Sequence, residues 1–241
     1  RKLGAEVTVV GPGELPILRP LGREFAAEVK RRQEHEGTRF AMGRRVADLI
    51  GEAVVEGVVL DDGTEIACDV FIEAIGSHPN TEWLEGNDID FSNSLVCDST
   101  LNVRTATDGV WPDVYAIGDV ASFPNPIFDD IPRRVEHWNI PTECAKYIGA
   151  RVAAELAIAE GAAEAVVPEA PFKPIPSFWS DQFDMHILAF GLLALADEAR
   201  LIEGDINDDF VFGYYREGKM VGVAGVGMRS VVQGYRKVFD A

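Results

Sequence analysis

Gly118-Asp119 closes the run Asp113-Val114-Tyr115-Ala116-Ile117, apolar for most of its length. A short buried strand has this apolar character, and a glycine at its end lets another molecule's polar chain approach the backbone closely. In open α/β sheets ligands sit at the carboxyl ends of strands. An aspartate there accepts a hydrogen bond from a hydroxyl. The same dipeptide is also ordinary strand-ending turn chemistry. A second group follows at Val135-Glu136-His137-Trp138-Asn139. It reads as the entry to a helix, with Asn139 as N-cap and Pro141 in the first turn. Such a helix start presents unpaired N–H groups and about half a positive charge, which suits a negatively charged ligand. The competing reading is a core tryptophan above a satisfied histidine.

The context of these residues carries a resemblance. Gly118-Asp119, flanked by Val114-Tyr115-Ala116 and Ala121-Ser122-Phe123-Pro124, resembles the second flavin-binding motif of the two-dinucleotide-fold flavoprotein reductases. Val135 to Asn139 and Ser177-Phe178-Trp179-Ser180-Asp181-Gln182 are similar to the ferredoxin reductase branch of the FAD-dependent pyridine nucleotide oxidoreductases. These are the NADH-dependent reductases of oxygenase systems, with apoptosis-inducing-factor proteins as near relatives.

The resemblance implies FAD and NAD(P)H as cofactors and a ferredoxin-type iron–sulfur protein as electron acceptor. It assigns Gly118 and Asp119 to the ribityl chain, Glu136, His137 and Trp138 to the surroundings of the flavin ring, and Gly76 to the neighbourhood of the nicotinamide. The helix start after Trp138 would face flavin N1 and O2, where negative charge develops. Hydride passes directly between the two cofactors, so no catalytic acid or base is assigned. The chain lacks the His-Pro-Thr motif of the disulfide reductases, which favours electrons leaving the flavin directly. A local basic patch at Arg133-Arg134 is the expected docking element for the acceptor, against a plain solvated loop. The alternative function is a non-catalytic flavoprotein or interaction module in the manner of apoptosis-inducing factor. Trp138-Asn139 fits the reductase side of that division better.

Composition narrows the rest. The chain has 241 residues, 47% of them hydrophobic, with 40 acids against 22 Lys and Arg and a net charge of −18. That surface repels phosphate backbones, so no nucleic-acid partner is expected. No stretch approaches the roughly 20 apolar residues of a membrane span, and Arg1-Lys2 leads into a strand-like segment, not a signal sequence. The expected location is cytoplasmic. Cys68, Cys97 and Cys144 form no CxxC pair and read as buried free thiols, and the histidines lack metal-ligand spacing, so no metal is expected.

The expected fold class is α/β: the second half of a two-dinucleotide-binding-domain flavoprotein, followed by a small α+β C-terminal domain. Residues 1–78 are read as the remainder of an NAD(P)-binding domain, 79–163 as the C-terminal part of an FAD-binding domain, and 164–241 as the small final domain. Arg1-Lys2-Leu3-Gly4 looks like a helix end before the strand Ala5 to Val10. No G-x-G-x-x-G turn occurs, and the chain is expected to be the C-terminal portion of a longer polypeptide. A helix from Leu21 to Glu36, short strands to Ala67 joined by the Asp61-Asp62-Gly63-Thr64 turn, and an apolar strand from Asp69 to Gly76 follow. A helix from about Ile140 to Glu160 precedes an alanine-rich linker at 160–171. Four strands, at 185–190, 199–203, 210–216 and 220–226, and a helix at 230–239 complete the chain.

One departure from the pattern stands out. NADH-preferring relatives end the second strand of this domain with an acid that pairs with the adenosine ribose hydroxyls. Here Gly11 occupies that place. Glu14 is the nearest substitute, and Arg19 is suited instead to a 2′-phosphate, so both nucleotides stay open.

Overall fold

The computed structural model describes residues 4–162 and 164–239. The helix end expected at Arg1-Lys2-Leu3 lies outside them. The chain divides into two compact units: Arg1–Gly76 with Trp179–Leu188 and Leu193–Val232, and Ser77–Phe178 with Ala189–Leu192 and Gln233–Ala241.

The first unit opens with β1 (Thr8–Gly11), α1 (Leu18–Leu21), α2 (Arg23–His35) and β2 (Arg39–Met42). β1 and β2 run parallel, from Thr8 opposite Arg39 to Gly11 opposite Met42. Strand, helix and second parallel strand make a crossover unit. The single helix expected over 21–36 is broken at Gly22, whose φ of 75° and ψ of 171° end α1 before α2 begins. α2 buries Phe25, Ala26 and Val29 on one stripe. Glu28 is buried beside them and held by Arg31 and Arg32 at 2.7 and 2.6 Å. Burial pushes its carboxyl up, but the hydrogen bonds from the two guanidiniums outweigh that and leave it below the usual carboxylate range.

β3 (Val46–Ile50), β4 (Gly57–Leu60) and β5 (Glu65–Ala67) form an antiparallel sheet. The expected turn is there: Leu60 N donates to Thr64 O at 2.8 Å, and Gly63 takes a φ of 83°. The apolar strand expected at Asp69 to Gly76 is not. Residues 69–76 form no strand, and Ile72 and Ile75 are 80% and 85% exposed. A strand exists only where its backbone groups find a partner, and among the described residues nothing pairs with this segment.

The second unit contains β6 (Leu95–Val96), β7 (Asn102–Arg104), β8 (Val110–Tyr115), β9 (Ala121–Asn125), β10 (Asp129–Arg134) and α3 (Asn139–Ala159). β9 lies between β10 and β6, antiparallel to the first and parallel to the second. β7 and β8 form a separate antiparallel pair. The strand expected to run into Gly118 therefore stops at Tyr115, and its Val110, Trp111 and Val114 are exposed, not buried. Leu101, Val103, Phe123, Ile140, Cys144 and Phe172 form the core of this unit.

Phe172 directly follows the segment read as a linker. The described residues at 164–176 carry no helix or strand, yet they are fastened at several points. Phe172 N donates to Ser99 O at 2.7 Å, and its ring meets Phe123 edge-on at 5.0 Å. Tyr147 donates to Ala170 O at 2.7 Å, Asn125 to Pro174 O at 2.8 Å, and Arg151 to Pro168 O. The segment is a strap along this unit.

β11 (Ser177–Gln182), β12 (Met185–Gly191), β13 (Glu198–Gly204), β14 (Phe210–Arg216) and β15 (Lys219–Val226) form one sheet in the order β11-β12-β15-β14-β13, followed by α4 (Arg229–Tyr235) and a 3₁₀ turn at Arg236–Phe239. β14 packs on α2 within the first unit: Phe25 meets Phe210 and Phe212 edge-on at 5.0 and 5.8 Å, and Tyr214 donates to Leu21 O at 2.7 Å. Gly222 and Gly225 are strand glycines; a Cβ on either would sit within 3 Å of Leu193 or Val232. Cys97 and Cys144 are buried free thiols, while Cys68 is only half-buried. Among the described residues no helix is long and apolar enough to cross a membrane, and no cluster of His, Cys, Asp or Glu is arranged to hold a metal.

Candidate functional site

Five of the six candidate residues lie in the second unit, around the start of α3. Gly118 to Val120 form a 3₁₀ turn, and Gly118 takes a φ of 71°, the left-handed region that glycine occupies without strain. Gly118 is buried against α3: a Cβ there would lie 3.5 Å from Pro141 Cγ. The buried Cys144 thiol, one turn further along α3, meets the backbone of Gly118 and is pushed up by its burial. Asp119 is exposed at the open side of the same turn.

The expected N-cap is displaced by one residue. Trp138 caps α3 in helical geometry, and its side chain makes no cap hydrogen bond; Ile140 N donates to His137 O at 2.9 Å, and Pro141 has no N–H to offer. Asn139 is already helical, and its amide is committed elsewhere: it donates to Ile175 O at 2.9 Å and accepts from Ser177 N at 3.1 Å. It pins the strap to the helix instead of capping it. The first turn carries no acid, so the positive end of the α3 dipole is left uncompensated by its own side chains. Trp138 is 83% exposed, with its indole free of the core.

His137 is the least satisfied polar group of this site. Its Nδ1 is buried with no hydrogen-bond partner, and its ring meets Phe178 edge-on at 5.4 Å. Burial pushes its pKa down, while the nearby carboxylates of Asp119 and Glu136 pull the other way without prevailing. The imidazole is therefore neutral at pH 7. Glu136 is exposed, ion-paired to Arg134 at 2.7 Å, and receives a long hydrogen bond from Ser77 at 3.4 Å.

The basic patch expected at Arg133-Arg134 does not exist as a patch. Arg133 grips Asp129 through both nitrogens, one contact at 2.8 Å, and Arg134 is paired with Glu136. The two positive charges are neutralised where they stand. Gly76, the sixth candidate, ends the opening segment of the first unit; its φ is 106° and a Cβ there would meet nothing within 4 Å. Arg19 lines a cleft of about 230 Å³ with Gly22, Leu193, Asp197, Glu198 and Tyr214, whose walls include neither Gly11 nor Glu14. Sequence reasoning missed the part played by Cys144 beneath Gly118. The four-residue spacing from Ile140, which puts both on one buried helix face, was the available signal.

A parallel crossover unit, and a glycine–aspartate turn set against a bare helix start, define a nucleotide-binding oxidoreductase fold. The chain belongs to the pyridine nucleotide-disulphide oxidoreductase family, whose model matches residues 1–143, and residues 177–241 match the reductase C-terminal domain. It is 30% identical to the 5,5'-dehydrodivanillate O-demethylase ferredoxin reductase subunit of Sphingobium sp., over 99% of this chain and 54% of the relative. It is 26% identical to the ferredoxin–NAD(+) reductase component of the anthranilate 1,2-dioxygenase system of Burkholderia cepacia, over 100% of this chain and 55% of the relative. Among solved structures, the ferredoxin reductase for the CYP199A2 system of Rhodopseudomonas palustris superposes with a TM-score of 0.79 at 29% identity, covering 97% of this chain and 53% of that one. The chain thus spans about half the length of the relatives it matches.

Proposed function

We propose that this chain forms part of an FAD-dependent reductase that draws electrons from NAD(P)H and passes them to a ferredoxin-type iron–sulfur carrier serving an oxygenase. The observation that carries the reading is the uncapped start of α3, with the Gly118-Asp119 turn against it and the bare Nδ1 of His137 beside it. These features fit FAD. Asp119 would accept a hydrogen bond from a ribityl hydroxyl of FAD, and Gly118 would keep the backbone open for that approach. With FAD bound, the N–H groups left at the start of α3 and its positive dipole end would stabilise negative charge on the ring. Trp138 offers a flat apolar surface at the same edge, with Glu136 and neutral His137 flanking it. When bound, FAD supplies the exchange between a hydride's electron pair and single electrons. The open backbone at Gly76 supports its assignment to the nicotinamide neighbourhood. A cytoplasmic location follows from this reading, since that is where NAD(P)H is supplied. The names of the relatives, each the ferredoxin reductase part of an oxygenase or demethylase system, support the choice of acceptor.

Anaerobic stopped-flow spectroscopy of the FAD-loaded protein tests the proposal. NADH or NADPH should bleach the flavin band, and an oxidised ferredoxin should restore it. Flavin that neither nucleotide bleaches would overturn the reading.

A further inference from the structure

The carboxyl ends of β1 and β2 form the edge where a parallel pair binds its ligand. At that edge Gly11 stands where a ribose-binding acid would, opposite Met42. A Cβ on Gly11 would lie 3.4 Å from Met42 Cε, the flexible end of that side chain, so a glycine is not enforced by the packing. Glu14, the nearest acid, is consumed by Arg23 at 2.6 Å. Arg44 N donates to Gly11 O at 3.1 Å, which places Arg44 directly beside the vacant position. Its guanidinium is half-exposed, paired with Asp62 at 2.6 Å through Nε and donating from Nη1 to Gly43 O at 3.3 Å, which leaves Nη2 for a ligand. Arg45 follows, exposed and without an ion pair among the described residues. In a chain of net charge −18, this strand end carries two arginines, with Asp62 paired to Arg44 and Asp61 beside Arg45, its N donating to Arg45 O at 2.9 Å.

We infer that the strand edge at Gly11, flanked by Arg44 and Arg45, accepts the 2′-phosphate of an adenine dinucleotide, so that NADPH is the preferred reductant. The inference rests on the reductase reading above. A carboxylate at position 11 would repel a doubly charged phosphate and bind ribose hydroxyls instead. Its absence removes that penalty, and guanidiniums pair with phosphate through several N–H groups at once. Arg19, committed to its own cleft, is not required.

Calorimetric titration of the FAD-loaded protein with adenosine 2′,5′-bisphosphate and with AMP reads this subsite apart from catalysis. The bisphosphate should bind about tenfold or more tightly, with an advantage that shrinks as salt is raised. Arg44→Ala should reduce that advantage several-fold. Gly11→Glu, whose Cβ would meet only the end of Met42, should abolish it and lower the NADPH to NADH ratio of kcat/KM by about tenfold or more. Equal affinity for the two analogues, with flavin bleached more efficiently by NADH, would overturn this inference and leave the reductase reading standing. Flavin bleached by neither nucleotide would overturn both.

Discussion

Gly118 stands against Pro141 with room for a methyl group but not the backbone for one. A Cβ at Gly118 would make an ordinary 3.5 Å contact, yet the φ of 71° penalises every L side chain. The turn that carries Asp119 is thus set by backbone handedness at one position and by the proline that opens the facing helix.

Gly118→Ala should therefore destabilise the protein by about 1–2 kcal/mol through strain alone. Thermal unfolding would show a fall of a few degrees together with reduced flavin retention. A melting temperature at the native value would mean that the turn relaxes freely.

Asp119→Ala should weaken flavin retention about tenfold to hundredfold, the loss of one charge-assisted hydrogen bond of about 1.5–3 kcal/mol. Asp119 is exposed and supports no core, so the melting temperature of the flavin-free protein should hold. Flavin content equal to that of the native protein would remove Asp119 from the site.

His137 gives the protein an acid sensitivity. Its folded pKa lies below the ordinary histidine value, because burial disfavours the charged ring. The unfolded chain therefore binds the extra proton first, and stability falls as pH drops through the ordinary histidine range toward the folded value. Above that range the contribution is fully present. His137→Leu should flatten the dependence of melting temperature on pH between about 5 and 7. An unchanged slope would assign the acid sensitivity to other groups.

Phe172→Ala should cost about 3–5 kcal/mol, the typical price of emptying a buried aromatic site. The ring is buried between Phe123 and Tyr147 at 5.0 and 5.3 Å. Urea denaturation should show a lower midpoint with the slope retained. A change within about 0.5 kcal/mol, the range of ordinary surface substitutions, would mean that the strap at 164–176 lies loosely on the core.

Much of this arrangement could be read from the residues. β14 was found to the residue because its apolar run ends on Glu217-Gly218, and α3 because its pattern persists over more than five turns. The Gly118-Asp119 turn and the helix start beyond it were found by motif. Other features depend on partners that local sequence does not name. Residues 69–76 have the composition of a strand but no neighbour to pair with. β9 and β10 went unread because Pro124, Pro132 and a run of charges demote both as strands. Arg133 and Arg134 look like a basic patch until Asp129 and Glu136 are seen folded onto them. Asn139 has the right chemistry for a cap, but the strap claims its amide first.

The path of the chain between its two units has a practical result. It passes from one to the other after Gly76, Phe178, Leu188, Leu192 and Val232. Neither unit is a continuous stretch of polypeptide, so no single cut yields an intact half. A truncation after the alanine-rich segment near residue 163 removes the sheet that covers α2 and also the strap that closes the Phe123 core. Damage at one such cut reaches both units, because they are sewn from the same thread.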